Sequence, residues 1–136
     1  MTTKKPHILV TNDDGYHAAG LKALVEALEG LATLSIVAPK REQSGAAQSL
    51  TLRTPIICHA MGERQWAVDG TPADCVIVAL HKLLPEPPDM VISGINLGPN
   101  LGENVYYSGT VGAAREAALH HIPSCAISLA ARKAPW

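Results

Sequence analysis

The chain has 136 residues, of which 47% are apolar and 17% charged; this is the composition of one domain, residues 1–136, with a Val/Ile/Leu/Ala interior, and it excludes a disordered tail. Eleven basic against twelve acidic side chains give a formal net charge of -1, so no basic excess holds a polyanion such as a nucleic-acid duplex. Aromatics stand at 4% with no Phe, which excludes a base-stacking platform for single strands.

Residues 7–12 (His-Ile-Leu-Val-Thr-Asn) predict a buried strand, closed by the turn Asp13-Asp14-Gly15. Leu21, Leu24, Val25 and Leu28 then recur at the i, i+3, i+4, i+7 spacing of an amphipathic helix, with Gly30 as its terminator. Residues 33–38 predict a second strand, stopped by Pro39, and the small polar run 39–49 a loop. Residues 50–58 and 65–69 predict two further strands with Met61-Gly62-Glu63 turning between them. Thr71-Pro72 starts a helix, with Thr as N-cap and Pro in the first helical position, and Val76, Ala79, Leu80 and Leu83 form its core face. Pro85, Pro87 and Pro88 end it, and a strand follows at 89–93.

A Gly/Asn-rich loop occupies 94–102, then an Ala-lined helix at about 110–121 and a last strand near 124–129. Strands alternating with helices make this an α/β chain with a mostly parallel sheet covered on both faces. After the last strand only Ala130–Trp136 remain, so the final strand is expected at an uncovered edge. Cys58, Cys75 and Cys125 form no Cys-x-x-Cys pair and are expected as buried thiols of a reducing compartment. Met1–Pro6 carry no leader-like apolar run, and no stretch reaches the roughly 18 apolar residues of a membrane span. A soluble, cytoplasmic protein without a membrane partner is the expectation.

In an open parallel sheet, ligands bind beyond the carboxyl ends of the strands. That rule selects Asp13 and Asp14 after the first strand, Ser44 after the second, and Asn96 just past 89–93. Two adjacent carboxylates raise each other's pKa, and a divalent cation removes the difficulty. Two carboxylates, a hydroxyl and an amide carbonyl are oxygen donors that suit one Mg²⁺ or Mn²⁺ better than zinc. Such an ion would polarise a phosphoryl oxygen and activate water, with Asp13 or Asp14 as the base. Ser108-Gly109-Thr110 enters a helix, where hydroxyls and free N–H groups make either a phosphate cradle or an ordinary N-cap.

There is no Gly-x-x-x-x-Gly-Lys-Ser/Thr and no Gly-x-Gly-x-x-Gly after the first strand, so ATPase and dinucleotide readings lack their fingerprints. Gly15 stands where a haloacid-dehalogenase-type phosphatase needs its second Asp. Of the six histidines only His17 falls near the selected turn; Arg115 and Glu116 read as a solvated helix face. A second reading is a response-regulator receiver, with Asp69 as phosphoacceptor, Ser93 as switch hydroxyl and Lys133 as partner cation. A third is an inactive remnant that binds metal or nucleotide without turnover.

Five motifs stand in order: Thr11-Asn12-Asp13-Asp14-Gly15; Ala38-Pro39 with Gln43-Ser44-Gly45; Val68 to Cys75; Ser93-Gly94-Ile95-Asn96 with Gly98 to Gly102; and Tyr107-Ser108-Gly109-Thr110-Val111. Together they resemble the SurE family, the stationary-phase survival proteins that act as metal-dependent nucleotidases. The resemblance covers residues 7 to about 129 and implies a Rossmann-like core that hydrolyses nucleoside monophosphates at the 5′ or 3′ position. It implies one divalent metal on Asp13, Asp14, Ser44 and Asn96, and Asn12, Asn96, Ser108, Gly109 and Thr110 beside the phosphate. It also implies a longer chain, with a C-terminal segment of hairpins and subunit contacts that would make the full-length members homo-oligomers; this chain is expected to be the core without that segment.

Overall fold

The computed structural model describes residues 3–131 and 133–136; the expected leaderless start at Met1 and Thr2, and Arg132 in the tail, lie outside the described residues. Six strands, β1 (His7–Thr11), β2 (Thr33–Pro39), β3 (Cys58–Gly62), β4 (Gln65–Val68), β5 (Met90–Leu97) and β6 (Ser124–Leu129), form one sheet in the order β3-β4-β2-β1-β5-β6. Every neighbouring pair is parallel except β3 with β4. The helices are α1 (Ala19–Leu28), α2 (Pro72–Val78), α3 (Asn104–Tyr107) and α4 (Gly109–Leu119), and a π-helical turn, Ala79–Leu83, prolongs α2.

Period-two alternation decides the two cores. In β1, Leu9 joins Val37, Val91, Val76, Ala113 and Ala117 in a cluster that includes α2 and α4 residues. Its neighbours Ile8 and Val10 point the other way, with Ile36, Ile92, Leu21 and Leu24, under α1. Burying one such Val or Leu contributes about 1.5–3 kcal/mol, so the central strands β2, β1 and β5 anchor the domain from both sides. The result is the expected mostly parallel, Rossmann-like α/β sheet with helices on both faces.

Local chemistry sets the helix ends. Thr71 caps α2: its Oγ1 accepts from Asp74 N at 3.1 Å while the Asp74 carboxylate accepts from Thr71 N at 2.9 Å, a reciprocal capping box. Asp74 also accepts from Thr51 N (2.9 Å) and Thr51 Oγ1 (2.6 Å), which pins the stretch before β3 onto this helix. All three cysteines are free thiols, Cys75 fully buried and the other two half-buried. No helix among the described residues is long and apolar enough to cross a membrane.

The structure departs from the expected elements in three places. Residues 50–57 form no strand; Leu52 is 83% exposed, and the strand that pairs with β4 starts only at Cys58. Thr51 is instead bonded to Asp74, and Pro55 has no N–H to give a ladder. The strand expected at 89–93 runs on to Leu97 through an irregularity in which Gly94 and Ile95 oppose the single residue Ile127. Gly94 is required at that point, because a Cβ would sit 2.5 Å from the Ile127 carbonyl oxygen. The short helix α3 was not signalled by any apolar periodicity.

Candidate active site

The sheet order reverses at β1: β2 and β4 lie to one side of it and β5 and β6 to the other. The crevice beyond the carboxyl ends of β1 and β5 is therefore the topological switch point. A cleft of about 300 Å³ opens there, bordered by Asp13, Asp14, Glu42, Ser44, Asn96 and Ser108 among others. The turn after β1, the loop after β2 and the end of β5 thus bring the four expected metal ligands to one place.

Asp13 is buried, and its Oδ1 accepts a 2.8 Å hydrogen bond from Thr110 Oγ1. Burial pushes its carboxyl above the ordinary value; the Thr110 bond pulls the other way, and the neighbouring Asp14 adds to the rise. Asp14 is also pushed up by burial, is eased by the bond that Leu97 N donates to its Oδ2 at 3.3 Å, and is raised further by the Glu42 charge. Among the described residues no Lys or Arg borders this cleft to offset the two aspartates.

Ser44 Oγ donates its proton to Glu42 Oε1 at 2.6 Å, which leaves the hydroxyl lone pairs available to a cation. Asn96 Nδ2 donates to the Gly98 carbonyl at 3.0 Å, which leaves the amide oxygen as the ligating end. Two charge-strained carboxylates, one hydroxyl oxygen and one amide oxygen form a hard donor set that fits a divalent Mg²⁺ or Mn²⁺. Among the described residues no group of three or more His, Cys, Asp and Glu could hold a metal, so any ion in this cleft depends on the Ser and Asn oxygens as well.

The other four expected phosphate neighbours are placed differently from one another. Ser108 borders the cleft, and its Oγ accepts from Val111 N at 3.2 Å as the N-cap of α4. Gly109 lies against Asp13; a Cβ there would meet Asp13 Cβ at 2.9 Å and Pro72 Cγ at 3.1 Å. Asn12 and Thr110 are fully buried, and neither borders the cleft. The Asn12 amide closes the turn after β1, donating to Gly15 O at 2.8 Å and accepting from Gly15 N at 3.3 Å, while Thr110 holds Asp13. In this structure both side chains support the aspartate turn.

Glu42 was missed by sequence reasoning. The signal existed in its position, two residues before Ser44 in the same loop beyond the carboxyl end of β2. His17 borders a different, more apolar hollow with Tyr16, Leu21 and Val25. Glu116 is not on a solvated face; it is buried and bonded to Gln48 Nε2 at 2.7 Å and His120 Nε2 at 3.1 Å.

The receiver reading fails on strand order. Asp69 ends β4, which is separated from β1 by β2, so two strand spacings of about 4.8 Å each lie between it and the acidic pair. Its carboxylate is 2.9 Å from His59 Nε2, Ser93 is fully buried, and Lys133 is exposed beyond β6.

Comparison with known proteins agrees with this fold. The family model described as "Survival protein SurE" matches residues 8–136. The chain is 58% identical over 132 residues to a 5'-nucleotidase SurE of Desulforudis audaxviator, a match covering 93% of this chain and 51% of that one. It is 54% identical over 123 residues to a 5'-nucleotidase SurE of Alkalilimnicola ehrlichii, covering 90% and 48%. The crystal structure of the SurE protein from Aquifex aeolicus superposes with a TM-score of 0.90 at 47% identity, over 94% of this chain and 52% of that one. The chain spans about half the length of the curated relatives it matches. With this family match and this fold, the chain belongs to the SurE family.

Proposed function

We propose that this chain is the core of a phosphomonoesterase that hydrolyses nucleoside monophosphates, at the 5′ or 3′ position, to nucleoside and phosphate. One observation carries the reading: Asp13, Asp14, Ser44 and Asn96 border a single cleft at the switch point, with Ser108 on its rim. The relatives' description as 5'-nucleotidases supplies the nucleotide part.

One divalent cation, Mg²⁺ or Mn²⁺, would be held by those four residues and, when bound, would neutralise charge and polarise the phosphoryl oxygen and a water. Asp13 or Asp14 then accepts the proton of the attacking water. The water oxygen bonds to phosphorus as the ester P–O bond breaks, and the leaving sugar oxygen takes a proton from solvent. Ser108 and Gly109, at the positive end of α4, face the phosphate oxygens, and Asn12 and Thr110 keep the aspartates in position. Residues 1–136 act as one unit in this reading. It is placed in the cytoplasm, and homo-oligomer formation is assigned to the full-length members.

Phosphate release from a panel of nucleoside monophosphates, with Mn²⁺, Mg²⁺ or EDTA, tests it. Metal-dependent release lost in Asp14→Asn is the expected result. Metal binding without release from any nucleotide would leave the binding-only reading in its place.

A further inference from the structure

The segment 40–45 borders two hollows. Glu42, Ser44 and Gly45 belong to the acidic cleft, whereas Lys40, Arg41 and Gln43 belong to a second concavity of about 480 Å³ at the carboxyl ends of β2 and β4. The second hollow is completed by Thr54, Asp69 and Thr71 among others, and no aromatic side chain among the described residues borders it. Its ionic groups among those residues are two cations and one carboxylate, and that carboxylate, Asp69, is already held by His59 at 2.9 Å. In a chain of net charge -1, an acidic cleft bordered by no Lys or Arg among the described residues thus adjoins a hollow of the opposite sign.

The separation between them is short. Arg41 and Ser44 are three residues apart, at most about 11 Å between Cα atoms even when fully extended. An arginine side chain reaches across much of that distance and offers the forked donors that suit phosphate. A nucleobase, flat and uncharged, finds no stacking partner in this hollow, whereas an anion finds two cations and the Thr54 hydroxyl.

We infer that the Lys40–Arg41 hollow receives a second phosphate of the substrate, so that the chain prefers nucleotides phosphorylated at two positions of the sugar. This rests on the hydrolase reading above and specifies its substrate class. The first phosphate occupies the acidic cleft, and the second, held by Arg41 and Lys40, orients the sugar between them.

Calorimetric titration of adenosine 5′-monophosphate and adenosine 3′,5′-bisphosphate into the chain with Mn²⁺ tests it, wild type against the Lys40→Gln/Arg41→Gln double variant. The expected result is a bisphosphate affinity about tenfold higher in the wild type, a ratio that shrinks with added salt and collapses toward one in the double variant. A wild-type ratio near one overturns the inference, as does a ratio that survives the substitutions. Equal weakening of both ligands also leaves the ratio intact and assigns the hollow to sugar or base instead. The wild-type ratio and its salt dependence decide the matter even if the variant fails to fold. Phosphate release followed in parallel separates the two readings: a tenfold ratio without release defeats only the hydrolase, and release without a ratio defeats only this inference.

Discussion

Thr110, the second residue of α4, donates a 2.8 Å hydrogen bond to Asp13 at the end of β1, across 97 positions of sequence. The contact fixes one carboxylate oxygen and leaves the other to the cleft. Thr110→Val keeps the shape and removes the hydroxyl. We expect a loss of about 1.5–3 kcal/mol in folding stability, as for a buried hydrogen bond to a charged group, together with a fall in phosphate release. Denaturant midpoints and initial rates measure both, and an unchanged midpoint would show that the bond does not hold Asp13.

Asp13→Asn separates stability from activity. A carboxyl whose pKa is raised on folding favours the folded state below the ordinary carboxylate value and loses that contribution as pH rises through the raised value. The metal-free wild type therefore weakens relative to Asp13→Asn as pH climbs above the ordinary range, while the variant's phosphate release falls about 10²–10³-fold. Urea midpoints of the two proteins in EDTA, from acidic to neutral pH, check the sign. Parallel curves would mean that Asp13 is not strained by burial.

Glu42 holds the Ser44 hydroxyl at 2.6 Å and so sets which side of that oxygen faces a cation. Glu42→Ala is expected to weaken Mn²⁺ binding about tenfold, the scale for a lost supporting contact to a metal ligand. Glu42→Gln keeps an acceptor for Ser44 and should recover part of the loss. Equal losses in the two variants would assign the whole effect to charge.

Asp74 accepts from Thr51 N, Thr51 Oγ1 and Thr71 N, so Asp74→Ala leaves several donors without a partner and removes the N-terminal anchor of α2. A loss of about 3 kcal/mol is expected from the combined cap and desolvation costs. Thermal unfolding by circular dichroism measures it, and a change below about 1 kcal/mol would show that the capping box is replaceable.

Much of the fold was legible where local chemistry dictates it. Leu21, Leu24, Val25 and Leu28 declared α1 by spacing, and Thr71-Pro72 declared the start of α2 by capping. Strand order was not legible, because nothing local to Asp69 tells that β2 separates β4 from β1. Residues 50–57 read as a strand, yet Thr51 is bonded to Asp74 at the start of α2 and Pro55 has no N–H to give a ladder. For the site, the rule of strand ends selected segments that border one cleft, but it could not say which way each side chain turns. Asn12 and Thr110 point into the packing, Glu116 is buried through a Gln48 contact 68 positions away, and Glu42 shares the cleft.

The stretch from Lys40 to Gly45 works as a partition between two hollows: Lys40, Arg41 and Gln43 border one, and Glu42, Ser44 and Gly45 the other. The turn closed by the bond from Ala46 N to Gln43 O, with Gly45 at a φ of +73°, fixes where the chain passes between them. Its length is therefore as consequential as its composition. Substitutions here alter one chamber at a time, whereas a change in length displaces the side chains of both, so this segment should accept new side chains far more readily than a new number of residues.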